Sequence, residues 1–371
     1  VDLSGCYTIC EYAFGYCKSL TSLDVSKVGQ LGEFAFVSCS GITTLKVGER
    51  KSIPEYCFAF CTAIQKLDLS VDFVGRLAFL GCSRISEVNF LTDVTEIGYG
   101  AFNGCSSLVN LVFEGSAKYI GDYAFASCSS LPSVFIPADC EYIGMFAFGG
   151  CSALEAVTFS ADAKVLSLGE AAFYGTYNVT EFTLEPGSKY LSVNNGFLYS
   201  KDMSKLILAP AGKIANRIVL PATVKEIGDY AFSYKAGVGT FVMTGVEVIG
   251  KGAFTRSTVR SVTLSDSLKE IGDDAFNTCP YLTSFALPGS LEEIGDSAFY
   301  GCTNIAWGDF TLPASVTEIG ENAFLGNYGI TTVTLPAQLT EIPYGMFTLC
   351  KNLTSVSFGG KVDTIGGYAF R

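Results

Sequence analysis

Fourteen cysteines and not one histidine frame the chemistry open to this 371-residue chain. Without an imidazole there is no Ser-His-Asp or Cys-His nucleophile and no histidine-ligated metal. Thiols and carboxylates remain, and the spacing of both argues for scaffolding. Ten cysteines, Cys17, Cys39, Cys61, Cys82, Cys105, Cys128, Cys151, Cys279, Cys302 and Cys350, each stand three residues after a phenylalanine. A thiol repeated at one offset reads as a ladder of reduced, buried groups, because free Cys packs as a small hydrophobe. The competing disulfide framework belongs mainly to short chains that lack a core. Elsewhere the position holds Thr176, Lys235, Ser257 or Asn327, polar groups able to bond to a turning backbone. Cys6, Cys10, Cys57 and Cys140 lie outside the series, and a Cys6–Cys10 pair alone falls short of the four ligands of a closed zinc site. Asp122, Asp229, Asp273 and Asp296 recur two residues after an isoleucine and are expected to cap turns. A calcium site built from the same acids is the alternative. No catalytic residue, metal or cofactor is therefore expected.

Fifteen phenylalanines mark the repeat that places these groups: Phe14, Phe36, Phe58, Phe79, Phe102, Phe125, Phe148, Phe173, Phe232, Phe254, Phe276, Phe299, Phe324, Phe347 and Phe370. Successive markers are 21 to 25 residues apart, except for a gap of 59 between Phe173 and Phe232. A period of 20–29 residues with Leu-x-x-Val-x-Leu in each unit is the mark of a leucine-rich-repeat solenoid, whose units bury their apolar faces only against neighbours. In the unit Ile120 to Pro137, Leu131, Val134 and Ile136 point one way from an extended segment while Ser133 and Phe135 point the other. Pro137 ends that strand. Ile120-Gly121 closes a second extended piece, its glycine expected to supply a turn conformation. Asp-x-Ala-Phe-x-x-Cys then predicts a single helical or 3₁₀ turn. The fold class expected is an α/β-type solenoid, a right-handed horseshoe with one long parallel sheet and short helical turns on its convex side. All of residues 1–371 form this single solenoid, of about 15 regular repeats.

Two irregularities interrupt it. Residues 178–221 read as atypical repeats with a hairpin, because Asn195-Gly196 and Lys201-Asp-Met-Ser204 flank a short apolar strand. There Phe197 takes the marker role and Leu206 and Leu208 the strand role. The insertion Ala306-Trp307-Gly308 carries the only Trp and reads as a bulge or loop at a strand start.

Composition narrows the partners. With 36 acidic and 24 basic residues the net charge is −12, which supplies no basic footprint for nucleic acid or an anionic membrane. No run of about 18 apolar residues exists, so membrane insertion of this segment is not expected. The chain opens on a degraded repeat and stops at Phe370-Arg371 within another, as a fragment of a longer protein would.

The recurring Ile-Gly-x-x-Ala-Phe-x-x-Cys-x-x-Leu-x-x-Val-x-Leu-Pro resembles the BspA-like, or Treponema pallidum type, leucine-rich-repeat family. The island Asn195-Gly-Phe-Leu-Tyr-Ser-Lys-Asp-Met203 with its following Leu-Ile and Pro210 resembles an atypical repeat of that family. The resemblance implies a secreted or surface protein of host-associated bacteria or protozoa. It further implies a non-catalytic adhesin that binds host matrix or cell-surface proteins such as fibronectin or fibrinogen.

A binding face is expected on the concave sheet, in the outward row Asp24, Lys46, Asp68, Asn89, Val112, Phe135, Thr158, Thr183, Ile207, Val219, Val242, Thr263, Ala286, Thr311, Thr334 and Ser357. Most of these are polar or small. Val112 with Phe135, and Ile207 with Val219 and Val242, break the pattern, and contiguous apolar surface often marks a contact site. The alternative is that β-branched residues simply favour exposed strands. Trp307 joins these as a candidate protein-binding residue. Self-association through open strand edges at the solenoid ends is a second expectation. The sequons Asn178-Val-Thr180 and Asn352-Leu-Thr354 permit N-glycosylation in a secreted eukaryotic protein, or arise by chance in threonine-rich strands.

Overall fold

The computed structural model describes all 371 residues, as two compact units. One comprises Val1–Gly196 with Pro210–Gly212, the other Phe197–Ala209 with Lys213–Arg371. Both are stacks of short parallel strands, one coil per repeat.

Each coil supplies strands to two ladders. In the first unit the Leu-x-x-Val-x-Leu segments pair in register, Lys66–Val74 with Glu87–Phe90 with Asn110–Phe113, and Ser133–Ile136 with Ala156–Phe159 with Phe182–Leu184. The segments ending in Ile-Gly form the other ladder, running from Glu49–Ile53 through Lys66–Val74, Val94–Ile97, Ala117–Ile120 and Tyr142–Ile143 to Ser167–Leu168. The second unit repeats the arrangement. Ala215–Val219 pairs with Val238–Val242 and that with Ser261–Thr263, while Glu226–Ile227, Val248–Ile249, Glu270–Ile271, Glu293–Ile294 and Glu318–Ile319 stack on the other side. The one long sheet expected from the repeat is thus replaced by two ladders, each in segments. One break in the first ladder falls between Asn110–Phe113 and Ser133–Ile136, where Pro132 has no N–H to donate.

The expected helical or 3₁₀ turn is not present, and backbone geometry gives the reason. Two positions per coil take positive φ, two residues before and two after the marker phenylalanine: Tyr123 (56°) and Ser127 (58°) around Phe125, Phe34 (55°) and Ser38 (58°) around Phe36, Asp274 and Thr278 (both 53°) around Phe276. Left-handed residues at that spacing prevent a right-handed helix from starting. Hydrogen bonding then alternates. Ala124, Ala126 and Cys128 donate to carbonyls three residues back in their own coil, while Tyr123, Phe125 and Ser127 donate to Met145, Ala147 and Gly149 of the next coil at 2.7–2.8 Å. A helix would keep every N–H inside the coil, whereas this turn spends half of them holding coils together.

The Ile-Gly glycine also has a different role from the one expected. Gly98, Gly121, Gly144 and Gly169 are not among the positive-φ residues. A Cβ at each would lie within 2.1–2.8 Å of backbone atoms of the preceding coil. Close approach of stacked backbones, not a turn conformation, requires glycine there.

Inside each unit the marker phenylalanines form a column. Ring centroids from Phe14 to Phe173 are 5.2–5.4 Å apart, and those from Phe232 to Phe370 are 5.0–5.7 Å apart, with interplanar angles no larger than 12°. No helix in either unit is long and apolar enough to cross a membrane.

Candidate functional site

The thiols at the repeat position are structural by their bonding. Cys39, Cys61, Cys82, Cys105, Cys128 and Cys151 direct Sγ at the carbonyl of the marker phenylalanine one coil earlier, at 2.9–3.6 Å. Cys279, Cys302 and Cys350 do the same at 3.0–3.3 Å in the second unit. All fourteen cysteines are free thiols. Burial pushes Cys82 and Cys151 up to about 12 and Cys350 to about 11, so the nucleophilic thiolate is scarce at neutral pH. An aromatic disulfide reagent should therefore titrate Cys10 and Cys17, which are exposed, and leave the eleven buried thiols unmodified until denaturant is added. Rapid native labelling of more than about half the thiols would contradict this packing.

Polar residues at the same position also bond to backbone carbonyls, and of these Asn327 reaches the marker phenylalanine one coil earlier as the thiols do. Asn327 Nδ2 donates to the carbonyls of Phe299 (2.7 Å) and Phe324 (2.9 Å), and Thr176 Oγ1 donates to Phe173 (2.7 Å). Lys235, 3% exposed, sends its ammonium to the carbonyls of Lys213 and Ala236. Burial, with Lys213 nearby, lowers its pKa to about 8.

The recurring aspartates join coils. Asp122 Oδ1 accepts from the Met145 amide (2.8 Å) and the Tyr142 hydroxyl (2.9 Å); Asp229, Asp273 and Asp296 accept from the amides of Lys251, Asp296 and Glu321 at 2.7–3.0 Å. Each carboxylate satisfies a next-coil N–H, and no three His, Cys, Asp or Glu side chains converge as a metal-holding group. The sequon asparagines are engaged in the same way. Asn178 Nδ2 donates to Ser152 (3.1 Å) and Asn352 Nδ2 to Tyr328 (2.7 Å).

What remains as a site is the outward row of the first ladder. Its register runs Asp68, Asn89, Val112 and then Phe135, Thr158, Thr183 in the first unit, and Val219, Val242, Thr263 in the second. Polar members bond to one another. Lys66 reaches Glu87 (2.9 Å) and Asp68 (3.5 Å), Asn89 Nδ2 donates to Asp68 and Glu87 (both 2.7 Å), and Thr158 meets Thr183 at 2.7 Å. Half-buried Val112 and Phe135 stand between these two networks. An open groove of about 570 Å³, lined by Thr44, Lys46, Lys66, Asp68 and Leu91 among others, lies on the same unit. The row reading missed Val109, which is 51% exposed at the strand entrance beside Val112. Its equivalents Thr21, Thr43, Gln65 and Ser86 are polar, the same contrast that singled out Phe135.

In the second unit Val219, 56% exposed, lies in register with half-buried Val242. Two expectations fail here. Ile207 is only 8% exposed and does not belong to the row, because Lys205–Leu208 pairs with Glu226–Ile227 in the Ile-Gly ladder and places Leu206 opposite Ile227. The cause is the tight turn before it. Asp202 Oδ1 accepts from Ser200 Oγ (2.7 Å), the Ser204 amide (3.0 Å) and Ser204 Oγ (2.8 Å), bonds that hold its carboxyl down to about 2. The chain reverses there, so that Lys205–Leu208 runs antiparallel to Phe197–Ser200. Trp307 likewise faces the core: its ring lies 4.6 Å from Phe310 and 5.7 Å from Phe299, and Nε1 donates to Asn327 Oδ1 (3.0 Å). The insertion is absorbed as a register shift between Gly308 and Asp309.

A family model for the BspA type leucine rich repeat region matches in six copies, over residues 3–109, 72–204, 211–306 and 269–371. The chain belongs to the BspA-type leucine-rich-repeat family. Among solved structures it is similar to a leucine rich cell surface protein from Faecalibacterium prausnitzii, at 24% identity and TM-score 0.55, over 95% of this chain and 83% of that one. A leucine-rich repeat protein from Bacteroides ovatus is 25% identical with TM-score 0.52, over 90% of this chain and 83% of its own. The pneumococcal vaccine antigen PcpA shares the fold at 20% identity and TM-score 0.51, over 96% and 74% of the two chains. No curated protein matches the chain.

Proposed function

We propose that this BspA-type chain is a non-catalytic, extracellular protein-binding module, a surface adhesin that engages host matrix or cell-surface proteins through the outward row of its first ladder. The observation that carries the reading is the interruption of a polar, mutually hydrogen-bonded face by Val109, Val112 and Phe135 in one unit and by Val219 and Val242 in the other. Polar neighbours already bonded to each other gain little from a partner, whereas apolar groups left in water gain about 25 cal/mol per Å² on being covered. Surface location is supported by the Faecalibacterium relative's description as a cell surface protein and by the pneumococcal protein's use as a vaccine antigen.

The test is solid-phase binding to immobilised fibronectin and fibrinogen. Phe135→Ser and Val242→Ser, assayed singly and together, are expected to weaken retention at least about fivefold while shifting stability by less than about 1 kcal/mol, since both side chains are outside the core. Unchanged retention by both variants would sink the assignment of the row.

A further inference from the structure

The second unit opens its first ladder with a strand that is paired on one side only. Ala215–Val219 pairs with Val238–Val242 and stands at the end of its sheet, because the chain before it in this unit sends both of its strands, Phe197–Ser200 and Lys205–Leu208, into the Ile-Gly ladder. Leu220 donates to the Val242 carbonyl (3.0 Å), so Val219 directs its own N–H and C=O toward the unpaired edge, and Arg217, two residues earlier, shares that orientation. Burial records the missing neighbour: Val219 is 56% exposed, whereas Val242, in register with it, is half-buried. Ile214, at the entrance of the strand, is 77% exposed.

The sheet that this strand begins is cationic in an acidic chain. Ala215–Val219, Val238–Val242 and Ser261–Thr263 contain no carboxylate, although the chain as a whole carries −12. Arg217 lies in register with Thr240, Arg260 stands at the entrance to Ser261–Thr263, and both are exposed. The ion pairs of this unit are made by lysines, Lys205 with Glu226 and Lys225 with Glu247 among them, and none includes either arginine. A charge on an edge strand is also a means of blocking unwanted pairing. Blocking does not account for two large aliphatic side chains, Ile214 and Val219, left in water on the same strand. A second copy of the chain fits the edge poorly, because pairing like edges brings Arg217 toward its own counterpart and sets two chains of −12 together.

We propose that the free edge of Ala215–Val219 is a docking site for an extended, acidic segment of a partner protein, which adds to the sheet as a further strand. Its backbone pairs with the open N–H and C=O groups of Arg217 and Val219, its apolar side chains cover Ile214 and Val219, and a carboxylate reaches the Arg217 guanidinium. The chain's remaining negative charge is screened beyond about 8 Å at physiological ionic strength, so the arginines at the edge set the local preference. Resting on the binding role proposed above for Val219, this assignment adds the mode of contact and the chemistry of the partner.

Fluorescence anisotropy on the full chain tests the edge without any matrix protein. The probes are a labelled Thr-Val-Asp-Val-Thr-Val-Asp-Val peptide, the same peptide with lysine for aspartate, and the aspartate peptide with every backbone nitrogen methylated. The aspartate peptide is expected to bind at least about tenfold more tightly than the lysine peptide, and the methylated one not at all. Arg217→Gln should weaken the aspartate peptide about fivefold or more. Val219→Pro removes the edge N–H, spares the Leu220 bond to Val242, and should weaken it about tenfold, with thermal unfolding as the check that the variant folds. Arg84→Gln, which removes the same charge from the other unit, and Phe135→Ser should leave the affinity unchanged. No binding of the aspartate peptide at millimolar concentration, equal affinity for the methylated peptide, or equal effects of Arg217→Gln and Arg84→Gln would overturn the edge assignment, while the outward row is judged separately by matrix retention of Phe135→Ser and Val242→Ser.

Discussion

Phe125→Ala is expected to destabilise the first unit by about 3–5 kcal/mol, the range for removing a fully buried aromatic ring. Phe125 is inaccessible to solvent and stacks between Phe102 at 5.3 Å and Phe148 at 5.4 Å. Its loss removes two ring contacts along the column as well as its own burial, and a stack has no other element that can move in to fill the gap. Stability in such a repeat array is a sum of coil terms and nearest-neighbour terms, so a coil weakened in the middle also uncouples the coils on either side of it. Urea denaturation followed by tyrosine fluorescence should show a lower midpoint and a broader or split transition. Phe135→Ser, the same residue type ten positions later but facing outward, is the comparison: its cost should stay under about 1 kcal/mol. If the two substitutions cost the same, the division between column and outward row is wrong.

That division was legible before any coordinates, because one period placed Phe125, Cys128, Leu131, Val134 and Ile136 on one side and Phe135 on the other. Periodicity reports which side chains share a face. It does not report how the backbone between them closes its hydrogen bonds, and there the expectation of a helical turn failed. Glycine at the equivalent positions of other coils, Gly81, Gly100, Gly104 and Gly150 among them, is the trace of these left-handed kinks in the sequence, and Tyr123 and Ser127 hold the same positive φ without being glycine. They are tolerated because Met145 and Gly149 of the next coil take up the amides they present. Ile207 departs from the outward row for a related reason: spacing from Phe197 predicts another outward strand, whereas the turn at Asp202 reverses the chain and delivers Leu206 to the opposite ladder. An insertion usually maps to a loop, which makes its Trp307 a candidate for binding. In this coil the ring fills space against Phe299 and Phe310, and buried Asn327, standing where other coils carry cysteine, supplies the acceptor its indole N–H needs.

The pattern of side chains also separates what the scaffold uses from what it leaves available. The repeat-position thiols from Cys39 onward, the recurring aspartates and the sequon asparagines bond from one coil to the neighbouring coil's backbone. Such groups are spent on stacking. The groups left over are the apolar residues of the outward row, Val112 and Phe135 in one unit and Val219 and Val242 in the other. Conservative changes at the spent positions should therefore act on stability, and changes at the leftover positions on binding.

The glycine after each repeat isoleucine gives the sharpest test of the stacking argument. Gly144→Ala should cost about 3 kcal/mol or more, although alanine is the smallest side chain that can be introduced and φ at this position is not in the left-handed region. The added Cβ would lie 2.4 Å from the Asp122 nitrogen and 2.5 Å from Asp122 Oδ1 and the Gly121 carbonyl carbon. Two of these are backbone atoms and cannot swing aside. The third is the carboxylate oxygen that accepts from Met145 and Tyr142, so relieving the clash breaks the aspartate bridge between coils. Gly144 also donates to Ile120 at 2.8 Å within the Ile-Gly ladder, and separating the backbones lengthens that bond too. Gly289→Ala is the control, because no atom lies within 4 Å of its Cβ and it lacks a positive φ. Restricting the unfolded chain there should leave stability unchanged or raise it by up to about 1 kcal/mol. Thermal and urea unfolding of the two variants, with hydrogen exchange at the Met145 amide, separate the effects. Fast exchange at Met145 is expected in Gly144→Ala alone, and wild-type stability in that variant would refute close backbone approach as the reason for glycine at this position.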